Sequence, residues 1–231
     1  MIANFTKYTA PAITSNRLVI SISGRDKQGK SSFGFSAPEP ILYFNFDIGD
    51  EGVINKYSSK EIYINKYRIN PFATVDQQRE LWTKVKADYN AALSSKAKTI
   101  VLDTATEVWE LNRLARLGKL SKVLAHQYTE VNMEHTALLK SIYDSDKNLV
   151  LLHKSKVIYL NDKRTDNYEP KCYSDTPYIV QINLEMYRDD EEGFMMRILN
   201  CRQNPDLAGM EVPIYDPMDG WGILSGLVQA Q

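Results

Sequence analysis

The sequence predicts an α/β fold: a largely parallel sheet flanked by helices, with an antiparallel extension toward the C-terminus. Short apolar runs of strand length alternate along the chain with segments of helical composition, the pattern that builds parallel sheets. One such run, Leu18-Val19-Ile20-Ser21-Ile22, leads directly into Gly24-Arg25-Asp26-Lys27-Gln28-Gly29-Lys30-Ser31. That stretch is a complete match to the phosphate-binding loop that joins a buried strand to a helix. Near the C-terminus, residues 178–186 and 194–199 alternate apolar and polar side chains around Asp189-Asp190-Glu191-Glu192-Gly193, as the arms of a hairpin do.

Taken in order, the first strand occupies residues 17–23, and the helix opened by the loop must be short because Pro38 and Pro40 cannot continue it. Ile41-Leu42-Tyr43-Phe44-Asn45-Phe46 gives a second strand ending on Asp47, and residues 61–64 a short third. After Pro71, residues 74–93 read as a helix, with Leu81, Val85, Tyr89 and Leu93 recurring every four positions. The run from Thr99 to Leu102 is apolar until it reaches Asp103, as expected of a parallel strand covered on both faces. Helices follow over much of 106–146, and Leu149-Val150-Leu151-Leu152 forms a further buried strand ending on His153. The tail from Pro205, rich in proline and glycine, is expected to wrap the surface without long elements. With no linker or repeat, the chain reads as one domain over 1–231, with a core of about 17–204 and a tail of 205–231.

Composition bounds the function. At 43% hydrophobic and 25% charged residues, the chain can bury a full core. No apolar stretch has membrane-spanning length, and the polar start Met1-Ile2-Ala3-Asn4-Phe5-Thr6-Lys7 is unlike a signal peptide, so a cytoplasmic protein without a membrane partner is expected. Cys172 and Cys201 lie far apart, which suggests neither a CxxC site nor a disulfide framework. A net charge of -1 gives no global attraction to nucleic acid, so any such site must be a local patch.

The loop carries the chemistry. Gly24 and Gly29 let the backbone turn tightly, so that successive N–H groups and the helix N-terminus face an anion. Arg25, Asp26, Lys27, Gln28 and Ser32 complete the nucleotide-contacting stretch. The Lys30 ammonium would reach the β- and γ-phosphates of ATP or GTP, and the Ser31 hydroxyl would help hold Mg²⁺. Asp103, at the tip of a buried strand, is the matching acid for the metal, although with Thr104 it could instead cap the next helix. The residue after Asp103 is Thr104 rather than a glutamate, so a base for water must come from another strand. Asp47 is the first candidate because strand ends form the ligand crevice of open α/β sheets; Glu51 is the reserve, and an acidic turn is the alternative. His153 ends a strand on the same edge and either senses the γ-phosphate or is a hydrogen-bonded strand end. His126 and His135 lack the spacing of a zinc pair.

The loop, Tyr43-Phe44-Asn45-Phe46-Asp47-Ile48-Gly49-Asp50-Glu51-Gly52, the strand reaching Asp103 without a following glutamate, and Leu151-Leu152-His153-Lys154 together resemble the short RecA-like phage ATPases of single-strand annealing recombination. The resemblance runs over roughly residues 17–204. It implies a RecA-like core, ATP with Mg²⁺, Asp47 as the catalytic acid in place of a glutamate, and a homo-oligomer, ring or filament. It also implies a basic residue that reaches a neighbouring subunit's nucleotide, which falls on Arg202 with Arg197 as the alternative. Single-stranded DNA is the implied partner, with a single-strand DNA-binding protein as a second.

Two basic segments offer a place for DNA. Arg113, Arg116, Lys119 and Lys122 occur with no acid among them, and Lys154, Lys156, Lys163, Arg164 and Lys171 are interleaved with Tyr159, Tyr168 and Tyr173. Cations for the backbone and aromatics for stacking are what single-strand binding needs, while spaced charges on a solvated helix face would look similar. The resemblance favours DNA, because in RecA-like proteins the loops at these two places contact it. A nucleotide-gated interaction module is the rival reading. A nucleotide kinase would need an arginine-rich lid that the sequence does not show.

Overall fold

The computed structural model describes residues 17–48, 50–120 and 124–230; the polar start and Lys122 lie outside them. In chain order the strands and helices are β1 (Val19–Ser23), α1 (Lys30–Ser36), β2 (Ile41–Asn45), β3 (Ile62–Lys66), α2 (Val75–Leu93), β4 (Thr99–Asp103), α3 (Ala105–Leu117), α4 (Tyr128–Lys140), β5 (Asn148–Leu152), β6 (Lys154–Leu160), β7 (Lys163–Lys171), α5 (Thr176–Ile179), β8 (Ile182–Asp189), β9 (Gly193–Cys201), β10 (Glu211–Pro213) and α6 (Gly220–Gln229).

Eight strands form one sheet in the order β10-β9-β8-β1-β5-β4-β2-β3. Strands β8, β1, β5, β4, β2 and β3 run parallel, and β9 pairs antiparallel with both β8 and β10. The central strands β1, β4 and β5 are buried along their whole length, which is why they read as unbroken apolar runs. Because β5 lies between β1 and β4, the phosphate loop and Asp103 leave the same sheet edge two strands apart.

Two cores cover the faces of the sheet. On one face Phe33 and Phe35 of α1 pack with Trp221, Leu224 and Val228 of α6; on the other, Trp82, Val85 and Tyr89 of α2 meet Val108 and Leu111 of α3 and Leu138 of α4. Helix α2 starts at a capping box: Thr74 Oγ1 accepts from Gln77 N–H and Gln77 Oε1 from Thr74 N–H. Among the described residues no helix is long and apolar enough to cross a membrane.

Three expectations are corrected. The tail does not merely wrap the surface: it contributes β10 and the ten-residue α6, whose Trp221 ring lies 6.2 Å from Phe33. Residues 178–181 do not begin the C-terminal hairpin; Pro177 in the first turn sets the helix α5, and β8 starts at Ile182. The second basic segment is not a loop but the hairpin β6–β7, a separate two-stranded sheet.

Candidate nucleotide site and the adjoining hairpin

The loop between β1 and α1 has the shape its glycines allow. A Cβ at Gly24 would come within 2.3 Å of the Met186 carbonyl oxygen, and Gly29 has φ 87 with Met186 Cε and the Phe194 ring behind it. Strands β8 and β9 therefore close the back of the loop, a role for Met186 and Phe194 that the loop motif does not disclose. Gln28 Oε1 accepts from Arg25 N–H at 3.0 Å and tightens the turn, and Lys27 sits at φ 58. Asp26 and Arg25 are exposed. The Ser32 carbonyl accepts from the Tyr57 hydroxyl. Lys30 Nζ donates to the Gly24 and Arg25 carbonyls at 2.8 and 2.5 Å, folded along the loop. Burial lowers its pKa, opposed by Asp103, Asp26 and Asp47. A partly buried ammonium in a loop of N–H groups suits a polyphosphate.

Asp103 ends β4 with only 3% of its surface exposed. Its Oδ2 accepts from Ser31 Oγ at 2.9 Å and from the hydroxyl of Tyr43 on β2. Capping of α3 falls to Thr104, whose side chain accepts from Glu107 N–H, so Asp103 is free for the site. Burial pushes the Asp103 carboxyl up while the two hydroxyl bonds pull it down. A buried carboxylate facing a hydroxyl at the mouth of an anion cradle fits Mg²⁺, which is held by one or two carboxylates together with substrate phosphates.

Asp47 follows the end of β2. Burial raises its carboxyl, but the Ile48 N–H at 2.8 Å and the Lys154 ammonium at 3.3 Å outweigh that and hold it below the ordinary carboxylate range. Lys154 also pairs with Glu107 of α3 at 2.7 Å, and despite burial these two acids raise its pKa. Arg68 Nη1 donates to the Asp47 carbonyl. The neighbouring acids divide: Asp50 is buried against Asn45 and the Lys66 ammonium, whereas Glu51 is exposed. Of the two candidates, Asp47 faces the charged groups of the site and Glu51 does not.

His153 and Arg202 sit differently from the simplest expectation. The His153 ring is buried, neither ring nitrogen has a hydrogen-bond partner, and its near neighbour is the equally buried His135. Only its backbone joins the sheet, donating to the Ile22 carbonyl at 2.8 Å. Arg202 follows the end of β9 that pairs with Ile182, while the loop follows the end of β1 that pairs with Glu185. Arg202 therefore lies at the opposite end of the sheet from its own phosphate loop, exposed, with Nη2 on the Tyr178 carbonyl. Arg197 is held by Glu185 and Glu211 at 2.9 and 2.6 Å.

Among the described residues of the first basic segment, both arginines are paired with acids. Arg113 pairs with Glu110, Arg116 with Glu130 and Glu134 of α4, and Lys119 lies over the Phe72 ring. These acids lie on the same helix or one helix later, so the two arginines of the run are already paired in space. The second segment forms β6–β7, whose turn residues Asn161 and Asp162 both have positive φ, the backbone that two-residue hairpins require. Lys156 pairs across the ribbon with Glu169 at 3.1 Å. At its tip Lys163 and Arg164 are exposed, with Tyr159 63% exposed beside them. Two contacts tie the ribbon to the nucleotide loop: Lys154 opens β6 on Asp47, and the Arg25 guanidinium lies 4.9 Å from the Tyr168 ring centroid. Thr106 clamps its base, accepting from Lys154 N–H and donating to the Lys171 carbonyl.

The profile of a protein family described as an AAA domain matches residues 16–208. No curated protein matches the chain.

Proposed function

The chain belongs to the AAA-domain family of P-loop ATPases, and we propose that it hydrolyses ATP, binds single-stranded DNA and promotes annealing or strand pairing in phage recombination. The supporting observation is the hairpin: a ribbon with Lys163, Arg164 and Tyr159 exposed at its tip is attached to the nucleotide loop through Arg25–Tyr168 and to Asp47 through Lys154. Exposed cations beside an exposed aromatic are the chemistry of single-strand binding.

In this reading Lys30 exchanges its loop carbonyls for the β- and γ-phosphates, and Ser31 and Asp103 hold Mg²⁺. The metal, when bound, neutralises charge developing on the transferred phosphoryl group. Asp47 Oδ2 orients the attacking water and takes its proton. Arg202 serves the nucleotide of an adjacent copy in a ring or filament, an assignment supported by its place at the far end of its own sheet. Mixing Arg202→Ala with Lys30→Ala protein should restore part of the turnover each lacks alone; no rescue by co-assembled variants counts against a shared site. A single-strand DNA-binding protein is the further partner proposed.

The test is ATP turnover with and without single-stranded DNA, alongside anisotropy of a labelled oligonucleotide. Stimulation with nucleotide-dependent binding supports the reading. Nucleotide binding with no DNA binding in any nucleotide state replaces it with a nucleotide-gated module for another partner, a reading that the pairing of Asp47 with Lys154 favours because it engages the base.

A further inference from the structure

We infer that Tyr43 is a positioning residue for the metal-holding carboxylate of Asp103, an inference that rests on the Mg²⁺-ATP reading of the site. Tyr43 on β2 is paired in register with Val101 on β4, and Asp103 lies two residues further along β4 on the same face. A side chain as long as that of tyrosine can cross such a diagonal between neighbouring strands. The phenol uses the reach, donating to Asp103 Oδ2, the oxygen that also accepts from Ser31.

The ring is fixed from behind. It stacks on Phe35 of α1 with centroids 4.4 Å apart and planes at 18°, and it is buried. Gly34 lets α1 come this close: a Cβ there would stand 3.2 Å from Val101 Cγ1 and 3.6 Å from Tyr43 Cε2. Helix α1 therefore presses Tyr43 and Ser31 toward one carboxylate oxygen, so the orientation of Asp103 is set by the packing of α1 on the sheet. The hydroxyl is the donor of the pair, because a carboxylate oxygen can only accept. Hydrogen-bond partners that orient a ligating group in this way are typically worth about 10- to 100-fold in metal affinity.

Tyr43→Phe keeps the ring and its stack and removes only the hydroxyl. The binding of a fluorescent ATP analogue is measured in EDTA and then across a Mg²⁺ titration. The expected result is an unchanged metal-free nucleotide affinity and an apparent Mg²⁺ affinity lowered by about 10- to 100-fold. A purely structural role would move both. Phe35→Leu, which keeps the hydroxyl but removes the surface that fixes it, should lower Mg²⁺ affinity in the same direction and serves if the first variant does not fold. Wild-type Mg²⁺ affinity in either folded variant overturns the inference. If the wild-type protein itself fails to bind Mg²⁺ with the nucleotide, it is the functional reading that fails instead.

Discussion

The Lys154 ammonium lies 3.3 Å from the Asp47 carboxylate and 2.7 Å from that of Glu107, so the first residue of the β6–β7 hairpin also holds the acid at the end of β2. One side chain thereby joins the water-activating candidate, the helix after Asp103 and the hairpin.

The pH dependence of turnover tests this arrangement. As a base Asp47 must be ionised, so activity is lost as pH falls through its folded pKa, which the Ile48 N–H and Lys154 hold low against the effect of burial. Lys154→Gln removes one of these influences, so the acid limb of kcat should move to higher pH. Glu107→Gln frees Lys154 for Asp47 alone and should not move it upward. Asp47→Asn should bind Mg²⁺-ATP and not turn it over. An acid limb unmoved in Lys154→Gln means that Asp47 is not the base.

Lys30→Ala should weaken ATP binding by roughly 10- to 150-fold, the equivalent of about 1.5 to 3 kcal/mol for hydrogen bonds to a charged group. The same change should leave the melting temperature nearly untouched, because the ammonium it removes is disfavoured by burial and bonded only to its own loop. Titration calorimetry and a thermal melt separate the two effects. Equal ATP affinity in the folded variant would remove the nucleotide assignment.

The sheet was legible where burial left a one-dimensional trace. Strand β4 runs over the residues its sequence predicts, because a strand covered on both faces must be apolar until it emerges at Asp103. The phosphate loop was legible because its backbone demands glycine at two fixed positions. Strands β6 and β7 were not: β6 carries the apolar run Val157-Ile158-Tyr159-Leu160 and Asn161-Asp162 marks the turn, but β7 is polar almost throughout and the ribbon buries little surface, so its charges stood out before its strands did. Helix α6 was hidden by Gly220, Gly222 and Gly226, poor helix formers overridden by the packing of Trp221 and Leu224. The pairing of Arg116 with Glu130 and Glu134, like the bond from Tyr43 to Asp103, joins residues distant in sequence and exists only once the elements are packed.

His135 and His153 predict how the fold responds to acid. Burial pushes His135 down to about 4, and burial together with the neighbouring His135 pushes His153 down to about 3. Both are neutral in the fold, whereas in the unfolded chain they take up protons below about pH 6.5. Stability should therefore fall as pH drops from about 6.5 toward 4, by an amount on the order of a few kcal/mol. Urea unfolding at several pH values, compared between wild type and His153→Gln, isolates this contribution from that of the carboxylates. The variant should show a shallower loss; an identical pH dependence would mean that the histidines are not held neutral.

The hairpin supplies the last prediction. Binding of single-stranded DNA should be tighter with ATP than without, because the loop that takes the phosphates touches the ribbon through Arg25 and Tyr168. Lys163 and Arg164 are exposed at the tip and free to meet phosphates, while Arg113 and Arg116 are already committed to Glu110, Glu130 and Glu134. Each phosphate neutralised on a single strand contributes about -0.7 to the slope of log K against log salt, so replacing Lys163 and Arg164 by glutamine should make that slope shallower by roughly one unit or more. Arg113→Gln should leave it unchanged. Tyr159→Ala and Tyr168→Ala probe stacking, each expected to cost about 1 to 3 kcal/mol with little change in slope if a base lies on the ring. The two tyrosines differ in a further respect: Tyr159 is exposed at the tip while Tyr168 lies under Arg25 of the loop, so loss of Tyr159 should weaken binding equally with ATP, ADP or no nucleotide, whereas loss of Tyr168 should also reduce the advantage of ATP. Anisotropy across a salt series in the three nucleotide states reads all of these, and a slope that ignores the hairpin tip would move the DNA site elsewhere on the protein.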